Sequence, residues 1–194
     1  NPHIMGAFFK AIGYLDDTKN IVVSVSGGSD SDIVTDFIHQ CGFSDKCRYI
    51  FVDTGLEYQA TKEHITYLED RYNIQIERIK AYQSIPSCCK EYGQPFINKF
   101  ISENIERLQK HGFKFEDRPA EELLKEYPAC QSAIKWFTNG HQWHQWNIGY
   151  KKFLREFLIA NPPDFKISAK CCDYAKKRTI KAYFKDNQTD ITIT

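Results

Sequence analysis

Hydrophobic positions along the chain alternate between two periods. Ile21, Val22, Val23 and Val25 form a nearly continuous apolar run over 21–26, the pattern of a short strand buried on both faces. After Gly27 and Gly28, the residues Ile33, Val34, Phe37 and Ile38 recur at helical spacing, which places the glycine pair between a strand and a helix. Arg48 to Thr54 predicts a second strand, Tyr58 to Tyr72 an amphipathic helix, and Ile74 to Ala81 a third strand. Strand, helix, strand, helix, strand implies an α/β fold with a doubly wound, mainly parallel sheet.

Beyond residue 81 the period is helical. Phe96 to His111 carries Phe96, Ile97, Phe100, Ile101, Ile105 and Leu108 on one face and stops at Gly112. Ala120 to Tyr127, Cys130 to Phe137 and Tyr150 to Ile159 predict further helices, the last ended by Pro162 and Pro163, and Lys166 to Ser168 predicts a short strand. No repeat, low-complexity tract or linker divides the chain. The expectation is one domain over 1–194: an N-terminal helix or leader at 1–19, an α/β core at 20–81 and a helical C-terminal half at 82–194.

The 194 residues are 42% hydrophobic and 26% charged, and the formal net charge of +1 gives no global field to select nucleic acid or an acidic membrane. Charge is instead local: Lys166 to Lys185 holds seven basic residues and one acid. No apolar run approaches the roughly eighteen residues of a membrane span, and the N-terminal stretch lacks the features of a secretory signal. A cytoplasmic location is the expectation, with NPHIM set aside as a leader. Seven cysteines, an odd number, favour reduced thiols over a disulfide framework.

The chemistry concentrates in SGGSDS, Ser26 to Ser31. A glycine pair after a buried strand lets backbone approach an anion closely, the next helix offers unpaired N–H groups and a positive dipole end, and Ser26, Ser29 and Ser31 add hydroxyls. Neither the Walker A spacing nor the dinucleotide fingerprint is present. SGGSDS does resemble the S-G-G-x-D-S loop of the PP-loop ATP pyrophosphatase and adenine nucleotide α-hydrolase-like superfamily. FVDTGLEYQATKEHI, Phe51 to Ile65, resembles the D-T-G-x-E segment of its phosphoadenosine phosphosulfate (PAPS) reductase branch. KEYGQPFINKFISENIERLQ and KISAKCCDYAKK are similar to further segments of that family, so the resemblance runs from about Asn20 to Lys177.

The resemblance implies that Ser26, Gly27, Gly28, Ser29, Asp30 and Ser31 hold phosphate, with Asp53, Thr54, Gly55 and Glu57 at the neighbouring strand end. Asp30, Ser31 and Asp53 are the catalytic candidates, and Mg²⁺ with ATP or an adenylyl-sulfate nucleotide is the implied ligand. Ser29 stands where many relatives carry lysine. The missing charge is expected from Lys170, Lys176, Lys177 and Arg178, acting as an anion clamp. Asp32 reads as an exposed first-turn acid.

The family's reductases use a nucleophilic cysteine in a C-terminal E-C-G-x-H-like tail, and this chain ends KDNQTDITIT with no cysteine beyond Cys172. The leading expectation is therefore an enzyme of sulfur or adenylate transfer acting on ATP or an adenylyl-sulfate nucleotide. The alternatives are a thiol-dependent PAPS or adenylyl-sulfate reductase using Cys171 or Cys172, and a non-catalytic nucleotide-binding subunit of a DNA-modification or nuclease complex; a sulfur donor or a thioredoxin-like protein is the implied partner. Iron–sulfur relatives imply that Cys88, Cys89, Cys171 and Cys172, with Cys130 as a further candidate, could meet as cluster ligands. Adjacent residues on a helix point roughly 100° apart, which works against that arrangement. His141 and His144, interleaved with Trp143 and Trp146, read as a surface loop before they read as zinc ligands or base-stacking groups.

Overall fold

The computed structural model describes residues 2–138, 148 and 152–194. They fall into two units, the first formed by Asn1–Ile85 together with Tyr174–Thr194 and the second by Pro86–Asp173.

The first unit is built on a four-stranded parallel sheet: β1 (Ile21–Ser24), β2 (Cys47–Asp53), β3 (Ile76–Lys80) and β4 (Ile191–Ile193), in the order β3-β2-β1-β4. Ile21 pairs with Cys47 on one side and with Ile191 on the other, which explains why this strand carries apolar residues on both faces. Helices α1 (Pro2–Asp17), α2 (Ser29–Gln40) and α3 (Gln59–Tyr72) belong to one face. There Ile21, Val23, Tyr49, Phe51 and Ile76 form a core with Leu15, Ile38, Ile65, Leu68 and Tyr72. The opposite face takes α9 (Arg178–Asp186): Tyr183 donates to Glu77 at 2.6 Å, Arg48 donates to Asn187 at 2.7 Å, and Ile180 lines a cavity together with Ile50 and Val52. The fold is thus the doubly wound α/β layer that the sequence predicts.

The second unit is helical: α4 (Ile85–Tyr92, which enters it from the first unit), α5 (Lys99–Lys110), α6 (Ala120–Glu126), α7 (Gln131–Phe137) and α8 (Lys152–Ala160). Ile105, Leu108, Leu123, Ile134, Phe137 and Leu158 are fully buried in its core. A π-helical stretch, Cys172–Lys177, runs into α9.

Several expectations shift. The helix expected from Phe96 begins at Lys99, because Ile97 adopts φ 59° and the Asn98 side chain caps the helix by accepting from the Ile101 N–H at 2.9 Å. The short strand expected at Lys166 to Ser168 is an isolated parallel bridge between Gln94 and Ile167. The stretch 82–194 is mainly helical. Its last 21 residues group with the α/β unit, and β4 supplies the fourth strand. No helix among the described residues is long and apolar enough to cross a membrane.

Candidate functional site

Strand order reverses around β1, since the chain goes on to β2 on one side and returns at its end to β4 on the other. The crevice outside the carboxyl ends of strands at such a switch point is where open α/β sheets place ligands. Ser26 to Gly28 occupies that position.

Gly27 has φ +75°, and a Cβ added there would lie 2.9 Å from Thr61 Cγ2 on α3 and 3.6 Å from Ile65 Cδ1. Only glycine satisfies both the left-handed backbone and the close approach. Gly28 is the N-cap residue of α2, and no side chain caps this helix end. The loop is held from within: Ser31 Oγ donates to Gly28 O at 2.8 Å, and Ser26 Oγ lies 3.3 Å from Ser31 Oγ and 3.4 Å from the Gly28 N–H. Ser31 is buried, whereas Ser29 and Asp30 are exposed in the first turn. The arrangement presents helix N–H groups without a competing cap and fits an anion.

At the end of β2, Asp53 Oδ1 accepts from the Gly55 N–H at 2.9 Å, and its Oδ2 lies 3.6 Å from Lys62 Nζ. Buried Thr54 donates its hydroxyl to Glu57 Oε1 at 2.6 Å. Asp53 and Glu57 therefore shape the turn after β2 in addition to lying beside the loop.

A cavity of about 110 Å³ opens beside the loop, lined by Ser24, Ser26, Val52, Glu57, Lys176 and Ile180 among others. Ser24 Oγ is buried there without a hydrogen-bond partner. An unpaired hydroxyl, a loop serine, a carboxylate and a lysine ammonium converge on a space suited to a small polar group.

The basic residues expected as an anion clamp fall in both units. Lys176 lines that cavity. Arg178 lies with its guanidinium carbon 3.9 Å from the centroid of the Tyr82 ring and 5.6 Å from that of Tyr174. Lys177 is exposed. Lys170 belongs to the second unit, 3.4 Å from Glu106 Oε1 and over the Tyr92 ring.

Cys88, Cys89, Cys130, Cys171 and Cys172 all lie in the second unit. Cys88, Cys130 and Cys171 are buried and Cys172 is exposed. Burial pushes the Cys171 thiol up to about 11, with Cys172 and Cys89 acting in the same direction. Burial likewise raises Cys88 and Cys130. Burial thus works against the thiolate form at Cys88, Cys130 and Cys171. Among the described residues, no group of three or more His, Cys, Asp or Glu side chains is gathered to hold a metal ion. His141, His144, Trp143 and Trp146 lie outside the described residues.

One pair escaped the sequence reading. His64 Nε2 on α3 lies 2.7 Å from Asp32 Oδ2 on α2, so Asp32 is a paired, half-buried acid beside the loop. Thirty-two residues separate the two, and nothing in either local pattern announces the contact.

Residues 20–112 match the family model of the phosphoadenosine phosphosulfate reductase domain. The match covers β1 to β3 and the loop, and ends at 112, short of the Lys177 to which the resemblance was expected to run. The chain is also 31% identical over 115 residues to an uncharacterized protein of Methanocaldococcus jannaschii. That alignment takes in 50% of this chain and 24% of the relative, so the chain spans about a quarter of the relative's length.

Proposed function

We propose that this chain, whose residues 20–112 match the phosphoadenosine phosphosulfate reductase domain, binds an adenine nucleotide, MgATP or an adenylyl-sulfate nucleotide, on the loop after β1 and acts at its α-phosphorus. The observation that carries the reading is the uncapped N-terminus of α2, held open by Gly27 at the switch point of the sheet. Lys176, at the cavity beside Ser26, takes the place of the lysine that Ser29 lacks. An oxygen or sulfur of the acceptor attacks the α-phosphorus, the bond to the bridging oxygen breaks, and pyrophosphate or sulfate leaves with the electron pair. The loop N–H groups and Lys176 stabilise the added charge on the phosphate oxygens.

Pyrophosphate release from MgATP, and sulfate release from adenylyl sulfate, test this in the wild type and in Ser31→Ala and Lys176→Ala. Each substitution is expected to lower the rate about tenfold or more. Rates equal to wild type in both variants would sink the proposal.

A second reading, a thiol-dependent reductase, draws on the exposure of Cys172 next to buried Cys171. It requires sulfite release from the adenylyl-sulfate nucleotide in the presence of a dithiol protein, with loss of that release in Cys172→Ser. Undiminished sulfite in the variant would exclude it.

A further inference from the structure

Asp32 occupies the first turn of α2, the helix whose N-terminus faces the loop, and Asp30 stands two residues before it. Carboxylates there interact with the same N–H groups and dipole end that would hold an incoming anion. They therefore oppose a ligand phosphate, and Ser29 supplies no charge to offset them. Asp32 differs from Asp30 in being held: Oδ2 is bonded to His64 Nε2 at 2.7 Å, and Oδ1 is buried without a hydrogen-bond partner. A carboxylate with one oxygen buried and unsatisfied is costly unless a positive charge stands against it.

The surroundings of this pair are defined. From α2, Asp36 accepts from the Tyr72 hydroxyl at 3.0 Å. From α3, Tyr67 stacks on the imidazole with centroids 5.8 Å apart, and Arg71 lies over the Tyr67 and Tyr72 rings. The His39 ring lies 5.1 Å from that of Tyr72. Asp32 acts on Tyr72, and Asp36 acts on both Tyr72 and Arg71, while the group hydrogen-bonded to Asp32 itself is the His64 imidazole.

We propose that His64 is the counter-charge of the phosphate loop: protonated, it neutralises Asp32 and lets the α2 N-terminus bind an anion; neutral, it leaves Asp32 repelling that anion. His64 is thus a positioning residue that makes nucleotide affinity at Ser26–Ser31 depend on pH. The inference rests on the reading of this loop as the nucleotide site.

The test is calorimetric titration with adenylyl sulfate and with ATP over about pH 5.5 to 8.5, the span in which histidine side chains titrate. The phosphate and sulfate groups of adenylyl sulfate stay ionised throughout, so the wild-type series is informative without any variant. Wild-type affinity is expected to fall about threefold to tenfold as pH rises. Asp32→Asn is expected to bind tightly with a flat profile, His64→Gln to bind weakly with a flat profile, and the double variant to match Asp32→Asn. A contact that only tethers α2 to α3 would weaken both single variants alike and leave the pH profile unchanged. If the wild type binds but its profile parallels that of Asp32→Asn, this inference fails and the nucleotide reading stands. If neither nucleotide binds the wild type at any pH, the nucleotide reading fails and the inference falls with it.

Discussion

At the scale of the single residue, the loop depends on Gly27 more than on any of its hydroxyls. The left-handed φ costs an L side chain about 1–2 kcal/mol, and the 2.9 Å approach to Thr61 Cγ2 adds a steric penalty to that. Gly27→Ala should therefore lower stability by about 2 kcal/mol or more in urea unfolding and weaken nucleotide binding. Thr61→Ser removes the methyl group against which the new Cβ would collide. In the double variant the steric part should be recovered and the backbone part should remain. No recovery would mean that the Thr61 contact is unimportant. The glycine pair and its place between strand and helix were legible in the sequence, because both are local. The need for glycine against Thr61 was not, and neither was the His64–Asp32 pair, because each depends on how α3 lies against α2.

At the scale of elements, the turn from α3 into β3 shows how a side chain fixes a register. Asn73 ends the helix at φ 49°, and Glu69 accepts from the Ile76 N–H at 2.8 Å while binding Arg78 through both oxygens, at 2.9 and 2.6 Å. The Arg78 hydrogen bond holds the Glu69 carboxyl below its usual range, against the effect of burial. A carboxyl depressed in the folded state stabilises above its unfolded pKa, and that stability is lost as pH falls through the folded value. Glu69→Gln should cost about 1 kcal/mol near pH 7, since Arg78 is partly exposed, and less near pH 3. Equal costs at the two pH values would contradict the charge-based account. The first three strands and the two helices between them could be read in advance because each carries its own period. β4 could not: Ile191–Ile193 is three residues of a polar-flanked ITI whose partner β1 lies 170 residues earlier, as the bond from the Asn20 N–H to Asp190 shows. α4 was missed as well, although Pro86 near its start is a recognised helix-opening signal.

For the whole molecule, the decisive feature is that one unit is continuous in sequence and the other is not. The core of Pro86–Asp173 is drawn entirely from that stretch, so a fragment spanning it should keep helical circular dichroism and a cooperative melt. Asn1–Ile85 alone lacks β4 and α9, leaving one edge of β1 unpaired and Glu77 and Arg48 without Tyr183 and Asn187. That fragment should aggregate or unfold without a cooperative transition, and adding Tyr174–Thr194 as a separate chain should restore one. A sharp melt from Asn1–Ile85 alone would overturn this division.

The same discontinuity orders events on the ribosome. Chains usually complete their folding from the first-made end, but here the strand carrying the phosphate loop acquires its second neighbour only when Ile191–Ile193 has been synthesised. The helical insert can finish while the sheet is still waiting. A nucleotide that needs the finished sheet would then bind last, and a chain released with its end at Asp173 would carry a folded insert but no finished site.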